Sequence, residues 1–128
     1  MFEKAIEQPT DDRFVLGVFD QKDLIGICGF IPLGLENIYD LSNAGALIQM
    51  YVRQAYSGRK IGLTIVKNTI RKAFRISGIE QIVLEVKEEN KSAVHVYEQA
   101  GFHIYNLEEN KTEVKTGGSR MMIIQRDD

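Results

Sequence analysis

The chain has 128 residues, 44% of them hydrophobic and 27% charged, with a formal net charge of −2. That length supports one domain with a real hydrophobic core, and the composition is ordinary for a globular protein. The acidic balance argues against a general nucleic-acid binder, and no apolar run approaches the ~20 residues needed to span a membrane. The one cysteine, Cys28, allows no internal disulfide and lies in an apolar run, so an inert buried thiol in a reducing cytoplasm is expected. The opening MFEKAIEQPTDD lacks the basic-then-apolar pattern of a secretory leader, which fits the same expectation of a cytoplasmic protein.

Residues 1–7 read as the end of a helix. Residues 14–19 and 24–31 are rich in Val, Ile and Phe, and the Asp20-Gln21-Lys22-Asp23 turn between them makes an antiparallel hairpin. Pro32 and Gly34 end the second strand, and residues 33–45 have no clean period and read as a loop. Residues 46–52 alternate as a third strand. The chain then passes through Gly58-Arg59-Lys60-Ile61-Gly62 into a helix over 61–76. Gly62, Ile65, Val66, Thr69, Ile70 and Ala73 mark its buried face, while Lys67, Asn68, Arg71, Lys72 and Arg75 fall on the other side. Gly78 suits a left-handed C-terminal cap. Residues 81–86 form strand four, and strand, helix and strand together read as a right-handed crossover joining two parallel strands.

Asn90 stands where an N-cap belongs. Ala93, Val96, Tyr97 and Ala100 mark one face of a short helix that Gly101 stops. Residues 102–107 read as strand five, 108–115 as a polar loop and 120–126 as the closing strand. The architecture expected is one α/β (α+β) domain over 1–128, without repeats. Its sheet is mixed, mostly antiparallel and twisted, around one parallel βαβ unit.

A strand feeding a glycine-bearing loop and a helix start is a device for holding an anion. The first turn of a helix leaves N–H groups without partners, and its dipole favours negative charge. Downstream, Leu84-Glu85-Val86, Asn90, Ala93, Tyr97 and Gly101-Phe102 stand at the spacing L-x-V-x-x-x-N-x-x-A-x-x-x-Y-x-x-x-G-F. On these two stretches the chain resembles the GCN5-related N-acetyltransferase (GNAT) superfamily, over roughly residues 14–126. The resemblance implies that fold, with a splayed strand pair, and an acetyl-CoA-dependent N-acetyltransferase. Acetyl-CoA or CoA is the implied cosubstrate, with no metal, and the acceptor is a small-molecule or peptide amine. Tyr97 would be the general acid that protonates the departing thiolate. The pyrophosphate would lie against Gly58, Arg59, Lys60, Ile61, Gly62 and Leu63. The pantetheine arm would pair with Met50, Tyr51 and Val52, with Asn90 and Tyr97 also in contact.

The phosphate loop departs from the family pattern Q/R-x-x-G-x-G/A. Ser57 stands at the long polar position and Lys60 at the middle glycine, while Gly62 is kept. Lys60 brings a charge toward phosphate oxygens, and its Cβ also crowds the backbone approach. That departure keeps a second reading open, a non-catalytic CoA-binding or regulatory module. A third is an interaction domain using the basic face of helix 61–76. The general base is open as well. Gln49 occupies strand three, the direction of Glu85 is not readable from alternation, and His95 and His103 match no base position.

Family members usually begin with a strand and one or two helices, so residues 1–12 read as a remnant of that helical region. On that reading 14–19 is an edge strand, and no membrane or nucleic-acid partner is expected. A homodimer through the hairpin 14–31 would cover that edge, and the acceptor site would be unusually open.

Overall fold

The computed structural model describes residues 2–5, 12–34, 37, 39–105 and 119–127. The chain opens with a strand where a helix end was expected. Strand β1 (Phe2–Ala5) runs antiparallel to β2 (Phe14–Asp20), with Phe2 opposite Phe19 and Ala5 opposite Leu16. An isolated helical turn of this length is marginal in water, whereas a strand there satisfies an open row of N–H and C=O groups. β2 is therefore not an edge strand, and the edge-based reason for self-association through 14–31 falls with it.

β2 turns through a left-handed Gln21 into β3 (Asp23–Pro32), and β3 pairs with β4 (Ala44–Val52), both antiparallel. β4 starts two residues before the expected 46. Gly45 belongs to it, because Gly45 lies against the ring of Phe30: a Cβ there would come within 2.1 Å of the ring. Helix α1 (Ile61–Ala73) carries the chain to β5 (Gln81–Lys87), which is parallel to β4. Helix α2 (Lys91–Ala100), the two-residue strand β6 (His103–Ile104) and β7 (Ser119–Gln125) follow, giving the strand order β1-β2-β3-β4-β5-β7-β6.

Other features also differ from expectation. α1 stops at Ala73 rather than 76, because Arg75 and Ile76 donate to carbonyls three residues back and tighten the chain into turns. Gly78 is left-handed (φ +88°), but within those turns rather than at the helix cap. Of the expected strand 102–107, His103–Ile104 is strand and Phe102 and Tyr105 are not, while 106–107 and the expected loop 108–115 lie outside the described residues.

The face of α1 read from its period is buried. Ile65, Val66 and Ala73 have no exposed surface, and they pack with Ile25, Phe30, Ile82 and Met122 of the sheet. Cys28 is buried in the same core. α2 joins on that side through Tyr97. The opposite face carries a smaller cluster, Ala46, Val83 and Ile123, covered by Leu33, Tyr39, Leu41 and Tyr105. Asn37 knots the covering loop. Its Oδ1 accepts from the Tyr39 and Leu41 N–H groups (3.0 and 3.2 Å), and its Nδ2 donates to the carbonyls of Gly34 and Leu41 (2.9 and 2.7 Å). Among the described residues, no helix is long and apolar enough to cross a membrane.

Candidate active site

β4 and β5 part company at the site. They pair only from Ala44 opposite Gln81 to Ala46 opposite Val83. Beyond that point β4 stays bonded to β3 as far as Val52, and β5 stays bonded to β7 as far as Lys87. The cause is visible in β4. Gln49 is left-handed (φ +56°), and the register with β3 slips between Ile27 and Gly29, so an extra residue bends the strand. The main-chain groups of β4 from residue 47 onward therefore face the gap without a β5 partner.

A cleft of about 600 Å³ fills this splay. Met50, Tyr51 and Val52 line one side. Gly58, Lys60, Ile61, Gly62 and Leu63 line the end where α1 begins. The N–H groups of Ile61, Gly62 and Leu63 have no carbonyl four residues back within the helix, and Lys60, the N-cap, offers no side-chain cap. Lys60 itself is left-handed (φ 60°, ψ 20°), a conformation that glycine adopts freely and other residues adopt under strain. Arg59 is the exception among the expected residues, since it does not line the cleft. Its guanidinium lies 5.0 Å from the centre of the Tyr56 ring, where cation–π attraction holds it.

Asn90 and Tyr97 close the far wall with Val86, Ala93 and Val96. Asn90 caps α2, its Oδ1 accepting from Ala93 N–H at 3.2 Å and from the Ser92 hydroxyl at 3.3 Å. Its amide NH₂ has no acceptor among the described residues.

The spacing from Tyr97 to Phe102 has a local physical reason. Gly101 is left-handed (φ +111°), its N–H donates to the Glu98 carbonyl, and the Phe102 N–H donates to the Tyr97 carbonyl, both at 3.0 Å. This is a Schellman cap, and the apolar contact that accompanies it joins Phe102 to Tyr97, edge to face at 5.9 Å. The cap thus fixes the Tyr97 ring in the core. Tyr97 is 7% exposed, and its hydroxyl has no hydrogen-bond partner among the described residues. Burial, and second the charge of the Cys28 thiolate form, push its pKa up to about 12.

Leu84 and Val86 belong to the helix-side core, so alternation puts Glu85 on the opposite face. There it accepts from the Tyr39 hydroxyl at 3.5 Å. Tyr39 is itself tied by the Tyr105 hydroxyl, which donates to its carbonyl at 3.2 Å. Burial, and then Glu85, raise the pKa of Tyr39. Sequence reasoning missed Tyr56, Tyr39, Tyr105 and Asn37, since none sits at a distinctive spacing. His95 lines the cleft mouth, and His103 lies on β6, away from it.

The sequence pattern of the acetyltransferase (GNAT) family matches residues 1–102, ending on the Phe102 of the Schellman cap. The chain is 28% identical over 102 residues to the spermidine N(1)-acetyltransferase of Vibrio cholerae serotype O1, an alignment covering 80% of this chain and 55% of that protein. It therefore spans about half the length of that relative. Its fold is similar to a Bacillus subtilis acetyltransferase solved in complex with CoA, at a TM-score of 0.73 and 12% identity over 97% of both chains. It is also similar to the PaiA N-acetyltransferase of Thermoplasma acidophilum in complex with coenzyme A, at a TM-score of 0.69 and 23% identity over 90% of this chain and 62% of that one. With the family pattern running through the splay, the helix start and the Tyr97 cap, the chain belongs to the acetyltransferase (GNAT) family.

Proposed function

We propose that this chain transfers an acetyl group from acetyl-CoA to a primary amine of a small molecule or peptide, with Tyr97 as the general acid. The observation that carries the reading is the Tyr97 hydroxyl, unpartnered on the wall of a cleft whose other walls offer unpaired main chain. The residues fit the cosubstrate group by group. Main-chain N–H groups of Ile61, Gly62 and Leu63 suit a pyrophosphate, and Lys60 on the same lining carries a positive charge. The open edge of β4 at Met50, Tyr51 and Val52 suits the amides of a pantetheine arm paired as a strand, and the Asn90 NH₂ reaches the same cleft.

Acetyl-CoA supplies the activated acetyl thioester when bound. An amine attacking it forms the amide bond as the carbon–sulfur bond breaks, and the sulfur leaves with the electron pair. Tyr97 gives that sulfur its proton. With its pKa near 12 the phenol stays protonated at every physiological pH, so the donor form is always present. The phenolate is then reprotonated from solvent. Helices α1 and α2 close one face of the sheet, so the amine approaches from the other. Glu85 on that face attracts a cationic amine, and because it does not line the cleft its route to the amine's proton runs through water. The Vibrio relative named for spermidine puts polyamines first among the acceptors to test.

The strained Lys60 favours one second reading, a CoA-binding module without turnover. Calorimetric titration with CoA, followed by acetyl transfer to an amine panel headed by spermidine, separates the two. Binding with turnover is expected. Binding without turnover on any amine supports the second reading, and absence of binding removes both.

A further inference from the structure

The segment that leaves β4 and enters α1 has to hold the α1 N–H groups in place, yet it has few ties to the rest of the protein. At its start, Arg53 N–H donates to the Ile25 carbonyl at 2.8 Å. A short 3₁₀ turn follows (Gln54–Tyr56), closed by bonds within the segment itself. Past it, Gly58 and Lys60 are both left-handed, and a Cβ built on Gly58 would meet nothing within 4 Å. Between these two ends, one side chain among the described residues makes a hydrogen bond to another element. The Tyr56 hydroxyl donates to Asp20 Oδ2 at 2.7 Å, joining residues 36 apart in the chain.

Both partners are aimed for this contact. Asp20 is the last residue of β2, and the β2–β3 register slips between Val18 and Phe19 just before it, which turns the hairpin end. Tyr56 packs its ring on the core edge, lines the cleft, and carries the Arg59 guanidinium on its ring. One hydroxyl thus connects the hairpin tip, the cleft wall and the cation of the loop. Asp20 does not line the cleft and so has no direct reach to a ligand there.

We infer that the Asp20–Tyr56 hydrogen bond is a positioning latch: it holds the loop 57–60 and the first N–H groups of α1 in register for the cosubstrate's phosphates. The inference rests on the acetyl-CoA reading above. Asp20 and Tyr56 are positioning residues, acting through the loop and not on the reacting atoms. Losing the latch loosens binding and leaves the chemistry at Tyr97 alone.

The test is steady-state kinetics and CoA titration on Asp20→Ala, Tyr56→Phe and the double variant, beside the native chain. Tyr56→Phe keeps the ring, its packing and its Arg59 contact, so the fold is retained. Each single variant should raise KM for acetyl-CoA, and Kd for CoA, about tenfold, the lower end of what a hydrogen bond to a charged group is worth. kcat should stay within about twofold, and the double variant should be no worse than either single one, since both remove the same bond. A merely structural role would lower thermal stability without this split between KM and kcat. Native-like KM in both single variants, or effects that multiply in the double, would overturn the latch while leaving the acetyl-CoA reading intact. A native chain that binds no CoA would overturn both.

Discussion

Lys60→Gly should stabilise the protein, although it removes a side chain from a helix N-cap. Lys60 holds φ 60° and ψ 20°, the left-handed region, and it makes no side-chain capping bond. A residue with a Cβ loses about 1–2 kcal/mol in that conformation relative to glycine. Glycine returns part of this, about 0.4–1 kcal/mol, because its unfolded chain is freer. Lys60 is exposed, so little packing is lost. The bonds that Thr64 makes to the Lys60 carbonyl, from its N–H at 3.1 Å and its hydroxyl at 3.0 Å, involve main chain that the substitution keeps. The net gain is about 0.5–1 kcal/mol, or roughly 2–4 °C in Tm for a domain of this size. Thermal unfolding followed by circular dichroism measures it. Lys60→Ala is the control: it removes the charge and stem but keeps the Cβ, so its Tm should stay close to native. A lower Tm for Lys60→Gly, or an equal rise for Lys60→Ala, would show that the left-handed backbone is not the source of the effect.

Three further outcomes follow from the geometry. Tyr97→Phe should keep CoA affinity and lower kcat about 10²–10⁴-fold, the usual cost of removing a general acid; full turnover in the folded variant would assign the proton to water. The same variant should change the alkaline stability profile. The Tyr97 pKa is near 12 in the fold and near 10 unfolded, so its contribution is complete below pH 10 and is lost as pH rises toward 12. That loss amounts to about 2–3 kcal/mol in the native chain, so the stability difference between the two chains in urea unfolding should be constant below pH 10 and change only above it. Gly101→Ala places a Cβ at φ +111° and 3.0 Å from the Ile124 Cδ1. Stability should fall by about 1–3 kcal/mol, and turnover should fall with it as the cap that fixes Tyr97 is disturbed; an unchanged Tm would mean that the cap contributes little.

What residue order determined by itself was whatever depends on neighbours a few positions apart. The alternation of 14–31, the period of α1 and the run from Asn90 to Phe102 are local patterns. They gave the hairpin, the βαβ unit and the ends of α2 before any contact was known. The Tyr97–Gly101–Phe102 spacing is legible because a Schellman cap is a six-residue object whose bonds are all local. Tertiary structure alone decided what depends on distant partners. The segment Phe2–Ala5 is a strand because β2 offered it an open edge, not because of its own preference. Arg59 left the cleft for Tyr56, and Tyr56 gained its role from Asp20, 36 residues away. The direction of Glu85 was settled only when Leu84 and Val86 found the helix-side core. The splay itself follows from one left-handed Gln49 in β4. A bulge of this kind depends on register against another strand, and register is a property of two segments at once.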